Sequence, residues 1–205
     1  VLPAPLQEIK RPSEIWRKEV VLEPGKMVHI LAPSGSGKTT LIHLIYGLRK
    51  DFDGQVLIDG QATSVKKPDS WSELRQKHIS IVFQDLRLFP SYTGRENIQL
   101  KSSLTNMVSE NEIEEMAQQL GVLNLLGKPC EKMSQGERQR IAVIRALTQP
   151  FDWILLDEPF SHLDETNISK AAELIWKACK KRNAGLLLAT LGFDYGLHFD
   201  SVYCL

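Results

Sequence analysis

The chain has 205 residues, enough for one packed domain with a smaller lobe and too few for two ordinary domains. Apolar residues make up 42% and charged residues 24%, a balance that excludes a disordered chain. Lys plus Arg and Asp plus Glu both number 25, so the basic excess of a nucleic-acid binder is missing and no nucleic-acid partner is expected.

Residues 20–22 and 26–31 read as strands separated by the turn formers Pro24 and Gly25. The second runs into a Gly-rich loop, and residues 39–48 then place Leu41, Ile42, Leu44, Ile45 and Leu48 at a helical period. Residues 55–58 alternate like an edge strand before Asp59 and Gly60. A polar stretch continues to Lys77, followed by an apolar strand over 79–83. From Gln84 to Pro150 no strand-like run occurs, while 110–120 and 136–147 are helical by pattern, the latter through Ile141, Val143, Ile144 and Leu147. A buried strand returns at 153–156, then a helix at 166–181 and strands at 186–190 and 201–205. Strands alternating with helices predict a mostly parallel sheet covered on both faces. The expected organisation is one domain, with an α/β core from 1–84 and 151–205 and an inserted helical subdomain over 85–150.

Lys177, Lys180, Lys181 and Arg182 gather at the end of the 166–181 helix, where the helix dipole favours them without any ligand. Cys130, Cys179 and Cys204 lie far apart without metal spacing and read as idle thiols of a reducing compartment. No apolar run approaches the roughly 20 residues that span a bilayer, and the first residues lack a secretory pattern, so a cytoplasmic location is expected.

The loop Ala32-Pro33-Ser34-Gly35-Ser36-Gly37-Lys38-Thr39 stands between a predicted strand and a predicted helix. A phosphate chain must be surrounded closely by backbone N–H groups, and Gly35 and Gly37 permit that approach. The following helix turns its positive end to the phosphates. Lys38 is expected to reach the β- and γ-phosphates of ATP, and Thr39 to place its hydroxyl on Mg²⁺. The candidate nucleotide contacts here are Ser34, Gly35, Ser36, Gly37, Lys38, Thr39 and Thr40. Ala32 stands where this motif usually starts with Gly, and a positive φ there would cost about 1 kcal/mol.

Trp153-Ile154-Leu155-Leu156-Asp157-Glu158 is an apolar strand ending in two acids. Ligands of open α/β sheets sit beyond the carboxyl ends of the strands, which would bring these acids next to the loop. Asp157 is suited to hold the Mg²⁺ shell through a water, and Glu158 to polarise the attacking water as general base.

With these motifs the chain resembles the ATP-binding cassette of ABC transporters from about Ile15 to Leu205. Gln84-Asp85-Leu86-Arg87-Leu88-Phe89-Pro90, with Thr93 and Glu96-Asn97-Ile98, is similar to the family's Q-loop region. Met133-Ser134-Gln135-Gly136-Glu137-Arg138-Gln139-Arg140 resembles its signature, and Ser161-His162-Leu163-Asp164 its D-loop. The resemblance implies a P-loop NTPase core with an antiparallel β edge and the inserted helical subdomain. It also implies that Gln84 contacts the metal and water, and that the residues after it meet a transmembrane permease subunit. Two cassettes, as a homodimer or heterodimer, would pair head to tail with ATP between the phosphate loop of one and the signature of the other. Ser134, Gly136 and Asp164 are then nucleotide contacts. Ser134 can donate to a phosphate, while Ser134 and Glu137 also form a capping-box pattern, and both readings hold together. Within the family, the compact length, the 137–140 run and the short ending after Val202-Tyr203-Cys204-Leu205 most resemble the lipoprotein-release, macrolide- or peptide-export and cell-division group. The implied location is peripheral, on the inner face of the cell membrane through the permease.

The chain departs from the family pattern at three places. Gln135 stands where the signature usually has Gly, so its side chain must point away from nucleotide or crowd it. Leu191 stands where a switch histidine normally follows the strand after Glu158, and losing a donor to the γ-phosphate should cost about 2–4 kcal/mol of transition-state stabilisation. His198 and His162 read as surface or locally bonded residues rather than replacements. The aromatic platform for adenine would fall near residues 9–12, which contain no aromatic, and Trp16 reads either as a core residue or as the stacking ring. Two functions remain open at this level. One is an ATPase subunit powering a permease, slowed by Leu191; the other is a nucleotide-dependent regulatory subunit with little hydrolysis.

Overall fold

The computed structural model describes residues 1–6 and 12–205. In chain order the elements are β1 (Leu2–Pro3), β2 (Met27–Leu31), α1 (Lys38–Ile45), β3 (Phe52–Asp53), β4 (Leu57–Ile58), β5 (Gln61–Ala62), α2 (Pro68–Lys77), β6 (Ile79–Val82), α3 (Gly94–Ser102), α4 (Glu110–Gln119), α5 (Gln135–Leu147), β7 (Trp153–Asp157), α6 (Glu165–Arg182), β8 (Gly185–Thr190) and β9 (Ser201–Cys204). Five of the strands make one sheet in the order β6-β7-β8-β2-β9, and every pairing in it is parallel. The antiparallel part consists of two separate ribbons, β1 with β3 and β4 with β5.

The period of two along each strand divides the core. Ile154, Leu156, Leu186 and Leu188 face one side, where they join α5 and α6 residues such as Ile141, Ile144, Ala171 and Ile175. Leu155, Leu187, Ala189, Val28 and Ile30 face the other, against Leu41, Ile42 and Leu44 of α1. The first core continues without a break into the 85–150 segment through Ile98, Ile113, Leu120, Leu126 and Met133. The three helices of that segment each start with a capping box, Thr93/Glu96, Ser109/Glu112 and Ser134/Glu137.

Four local expectations change. The strand expected over 20–22 does not form: Val20 and Leu22 pack on the core and Val21 is 70% exposed, yet among the described residues no strand pairs with them. The edge strand expected over 55–58 shortens to Leu57–Ile58. Helix α2 occupies the end of the polar stretch, and α3 lies in a part assigned to no element. Arg182 suits its helix end as expected and has partners besides, donating to the Leu147 carbonyl at 2.8 Å and lying over the Phe151 ring.

Candidate active site

The loop between β2 and α1 is shaped by two left-handed glycines, Gly35 at φ 76° and Gly37 at φ 103°. A Cβ on Gly35 would meet nothing within 4 Å, so this side of the loop is an open cradle. A Cβ on Gly37 would strike Leu6 at 2.6 Å and Trp16 at 3.0 Å, so this glycine lets the loop lie on the core. Trp16 is buried there, and its indole N–H donates to the Ser36 carbonyl at 3.3 Å. The core reading of Trp16 therefore has a physical basis; positions 9–11, part of the segment considered for an adenine platform, fall outside the described residues. Ala32 is buried without a positive φ, so it carries none of the strain that a left-handed alanine would.

Helix α1 starts at Gly37 with no side-chain cap, unlike α3, α4, α5 and α6, which are capped by Thr93, Ser109, Ser134 and Asp164. Its first N–H groups face the loop without a side-chain acceptor, the arrangement that favours an anion. Ser34 is exposed, Ser36 buried with its hydroxyl on the Pro33 carbonyl at 2.8 Å, and Thr40 half-buried in the first turn.

Lys38 is only 6% exposed and folds back over the loop, donating to the Ala32 carbonyl at 2.9 Å and the Pro33 carbonyl at 3.2 Å. Its Nζ also stands 3.2 Å from Glu158 Oε1, so the loop and the end of β7 are joined by an ion pair. Glu158 adopts φ 46°, left-handed for a non-glycine residue, and donates its N–H to the Ala189 carbonyl of β8.

Thr39, Gln84 and Asp157 share the wall of a cavity of about 380 Å³ with His43 and Asp85. The Thr39 hydroxyl donates to Gln84 Oε1 at 3.2 Å. Asp157 is 1% exposed and neither carboxylate oxygen has a hydrogen-bond partner. Burial pushes its pKa up to about 6, a shift that the Thr39 hydroxyl and the Lys38 charge oppose and the Glu158 charge reinforces. A buried, unsatisfied carboxylate beside a hydroxyl and an amide oxygen is a set of hard donors suited to a cation. Among the described residues no cluster of three or more His, Cys, Asp or Glu is poised for a metal, so this set is a mixed one.

Ser134, Gly136 and Asp164 lie outside that cavity. Ser134 Oγ accepts the Glu137 N–H at 3.2 Å while its own N–H goes to Glu137 Oε2 at 2.7 Å. Gln135 turns its amide oxygen to Arg138 at 2.6 Å. A Cβ on Gly136 would come within 2.7 Å of the His162 carbonyl, so this glycine lets the signature turn meet the D-loop of the same chain. Asp164 caps α6, accepting the Asn167 N–H and side-chain amide at 2.8 Å each. Leu191 is 55% exposed just past β8, His198 is exposed, and His162 is exposed with its Nδ1 2.9 Å from Ser161 Oγ.

Sequence reasoning missed several neighbours of the site. His43 follows Thr39 by one helical turn and lines the same cavity, a relation that helical spacing alone could have shown. Arg145 of α5 donates to the carbonyls of Leu86 and Arg87, which hold consecutive left-handed conformations at φ 60° and 47° just after Gln84. Tyr195 packs edge-on against Phe160, with ring centroids 4.8 Å apart, and its pKa is raised by burial first and by the Glu158 charge second. No local pattern announces these two.

Comparison with known proteins bears on this geometry. The family model described as "ABC transporter" matches residues 18–161. The thiamine import ATP-binding protein ThiQ of Vibrio parahaemolyticus serotype O3:K6 is 34% identical over 86% of this chain and 74% of its own length. The lipoprotein-releasing system ATP-binding protein LolD of Legionella pneumophila strain Lens is 33% identical over 84% of this chain and 77% of its own. Among solved structures, the dimer of MJ0796, a bacterial ABC transporter cassette, superposes with a TM-score of 0.77 at 28% identity, over 86% of this chain and 79% of that one. A dimeric post-hydrolysis state of MJ0796 with ADP and Pi matches with the same TM-score at 27% identity.

Proposed function

The chain belongs to the ABC transporter family as an ATP-binding, ATP-hydrolysing subunit, and we propose that it powers a separate membrane permease to which it binds as a peripheral subunit on the inner face of the cell membrane. Relatives from an import and a release system match at 34% and 33% identity, so the likeness carries the ATPase and its transport role rather than one cargo. No helix among the described residues is long and apolar enough to cross a membrane. Residues 1–84 and 151–205 act as the nucleotide-binding core and 85–150 as the helical signature subdomain. Two cassettes, identical or different, close on ATP, a reading the dimeric MJ0796 cassette supports.

The observation that carries the site assignment is the Lys38–Glu158 pair next to the unsatisfied Asp157. An ammonium has three donors, and those of Lys38 go to two loop carbonyls and Glu158. A phosphate arriving at the loop takes over the place of Glu158, because the phosphate carries more charge and is also met by the α1 N–H groups. Glu158 is thereby released to orient water and accept its proton as general base. The residues 34–40 surround the phosphates, Ser134 and Gly136 approach the partner's nucleotide, and Asp164 lies at the same junction. Thr39, Gln84 and Asp157, the last through water, would hold Mg²⁺, which when bound neutralises charge on the β- and γ-oxygens.

Steady-state phosphate release at saturating Mg-ATP tests this reading. Glu158→Gln should lower kcat at least about a hundredfold, since general-base catalysis contributes about 10²–10⁴. Leu191→His should raise kcat by about tenfold with little change in nucleotide affinity, because it adds a donor aimed at charge that grows in the transition state. Wild type and E158Q equally inactive, with the membrane partner present, would replace the ATPase by the regulatory subunit.

A further inference from the structure

Gln139 is 1% exposed on α5, and both ends of its amide are used. Its Nε2 donates to the Glu158 carbonyl at 3.3 Å, and its Oε1 accepts the His162 N–H at 3.1 Å. The residue whose carbonyl it grips is the one held at φ 46°, a conformation that helps set the direction of the Glu158 side chain. A left-handed conformation is unfavourable for a non-glycine residue and persists only where its surroundings over-determine it. Here β8 fixes the Glu158 N–H through the Ala189 carbonyl, and Gln139 fixes the Glu158 carbonyl, so the peptides on both sides of the residue are held.

The same face of α5 makes two more connections to this turn. Gly136, three residues before Gln139, is in such close approach to the His162 carbonyl that a Cβ would lie 2.7 Å from it. Arg140, four residues after Gly136, donates from Nη1 to Asn167 Oδ1 at 2.9 Å, and Asn167 Nδ2 donates to Asp164 at 2.8 Å. Positions at this spacing line one side of a helix, so the signature helix is fastened to the whole 158–167 turn along that side.

We propose that Gln139 is a positioning residue for the general base, clipping the Glu158 turn to the signature helix so that the two move as one piece. The α5 terminus serves the nucleotide of the partner cassette, whereas Glu158 serves the nucleotide on this chain's own loop. The clip therefore links the two nucleotides of a closed dimer: α5 engages one, and the base for the other is brought to bearing. The inference rests on the roles proposed above for Glu158 and for pairing of two cassettes.

The test uses Gln139→Met, which keeps length and burial but removes both hydrogen bonds, and Gln139→Glu, which keeps the acceptor for His162. Phosphate release and calorimetric Mg-ATP affinity are measured for each, together with E158Q and the double variant Q139M/E158Q. The expected result is a kcat about ten- to a hundredfold lower in both single variants, with Kd within about twofold of wild type, as for a misplaced catalytic group. Because Gln139 acts through Glu158, the double variant should be no slower than E158Q alone. A folded Q139M with wild-type kcat overturns the clip, and so does a loss of affinity equal to the loss of kcat, the mark of general damage. If Q139M does not fold, Q139E against the same two criteria decides the matter. Turnover that survives in E158Q instead sinks the assignment of the base itself.

Discussion

The amino ends of α1 and α5 are built in opposite ways. Helix α1 begins at a left-handed glycine and has no side chain across its first N–H groups. Helix α5 begins behind a complete capping box, in which Ser134 and Glu137 satisfy each other's backbone N–H groups. An uncapped end keeps its donors for an anion, while a capped end has already used part of that capacity on its own stability. What α5 retains is its dipole and the N–H groups that the cap leaves over. On the proposed reading, one chain carries a standing phosphate site at α1. In the proposed dimer, α5 supplies a second and weaker contact once another cassette delivers its nucleotide.

The largest effect should come from removing the cation at the α1 end. Lys38→Ala should weaken Mg-ATP binding at least tenfold in calorimetric titration, since a charge-assisted contact is lost and Glu158 is left without its partner. Unchanged affinity would mean that the phosphate site is elsewhere.

A smaller effect is expected at the α5 end. Ser134→Ala should leave the affinity of the single chain for Mg-ATP within about twofold, yet weaken several-fold, by light scattering, the ATP-dependent dimer that E158Q is expected to trap by slowing hydrolysis. Loss of the cap should also lower stability by about 1 kcal/mol in chemical unfolding. If S134A damaged binding by the single chain as much as K38A, the contrast between the two helix ends would be broken.

The smallest effect separates the two ends by pH. At the α1 site, burial raises Asp157 to about 6, so in the metal-free protein its contribution to stability is fully present below the unfolded value of 3.8 and is lost as pH rises through about 6. Cation binding needs the ionised form, so the Mg²⁺-dependent part of ATP affinity should fall several-fold from pH 7.5 to 5.5. At the α5 cap the sign is reversed: the Ser134 N–H, as the main cause, holds Glu137 below its ordinary value of 4.5. Its contribution is present above that value and is lost only as pH falls through the lower folded one. Titrations with and without Mg²⁺ at both pH values check this, and equal losses under the two conditions would remove Asp157 from the metal site.

The motif residues and most of the main strands were legible in the sequence because each is governed by neighbours a few positions away. The phosphate loop needs Gly35 and Gly37 at fixed offsets, the capping box couples Ser134 to Glu137 three residues on, and buried strands such as 153–157 declare themselves by continuous apolar runs. Helices α2 and α3 escaped that reading since their buried faces are hardly apolar: α2 buries Trp71 alone, and α3 buries Ile98 with Gly94, Asn97 and Ser102. Asn97 is held inside by bonds to the Phe89, Tyr92 and Thr93 carbonyls, which hydrophobic period cannot register. In the candidate active site the sequence supplied Lys38, Thr39, Gln84, Asp157 and Glu158 as candidates through their motifs. Tertiary structure alone decided which of them touch, that Gly136 packs on the D-loop, and that Gln139 grips the Glu158 turn across 19 residues of chain. The physical reason is that a buried side-chain hydrogen bond between distant segments costs nothing in local conformational preference, so it leaves no periodic trace in the residues around it.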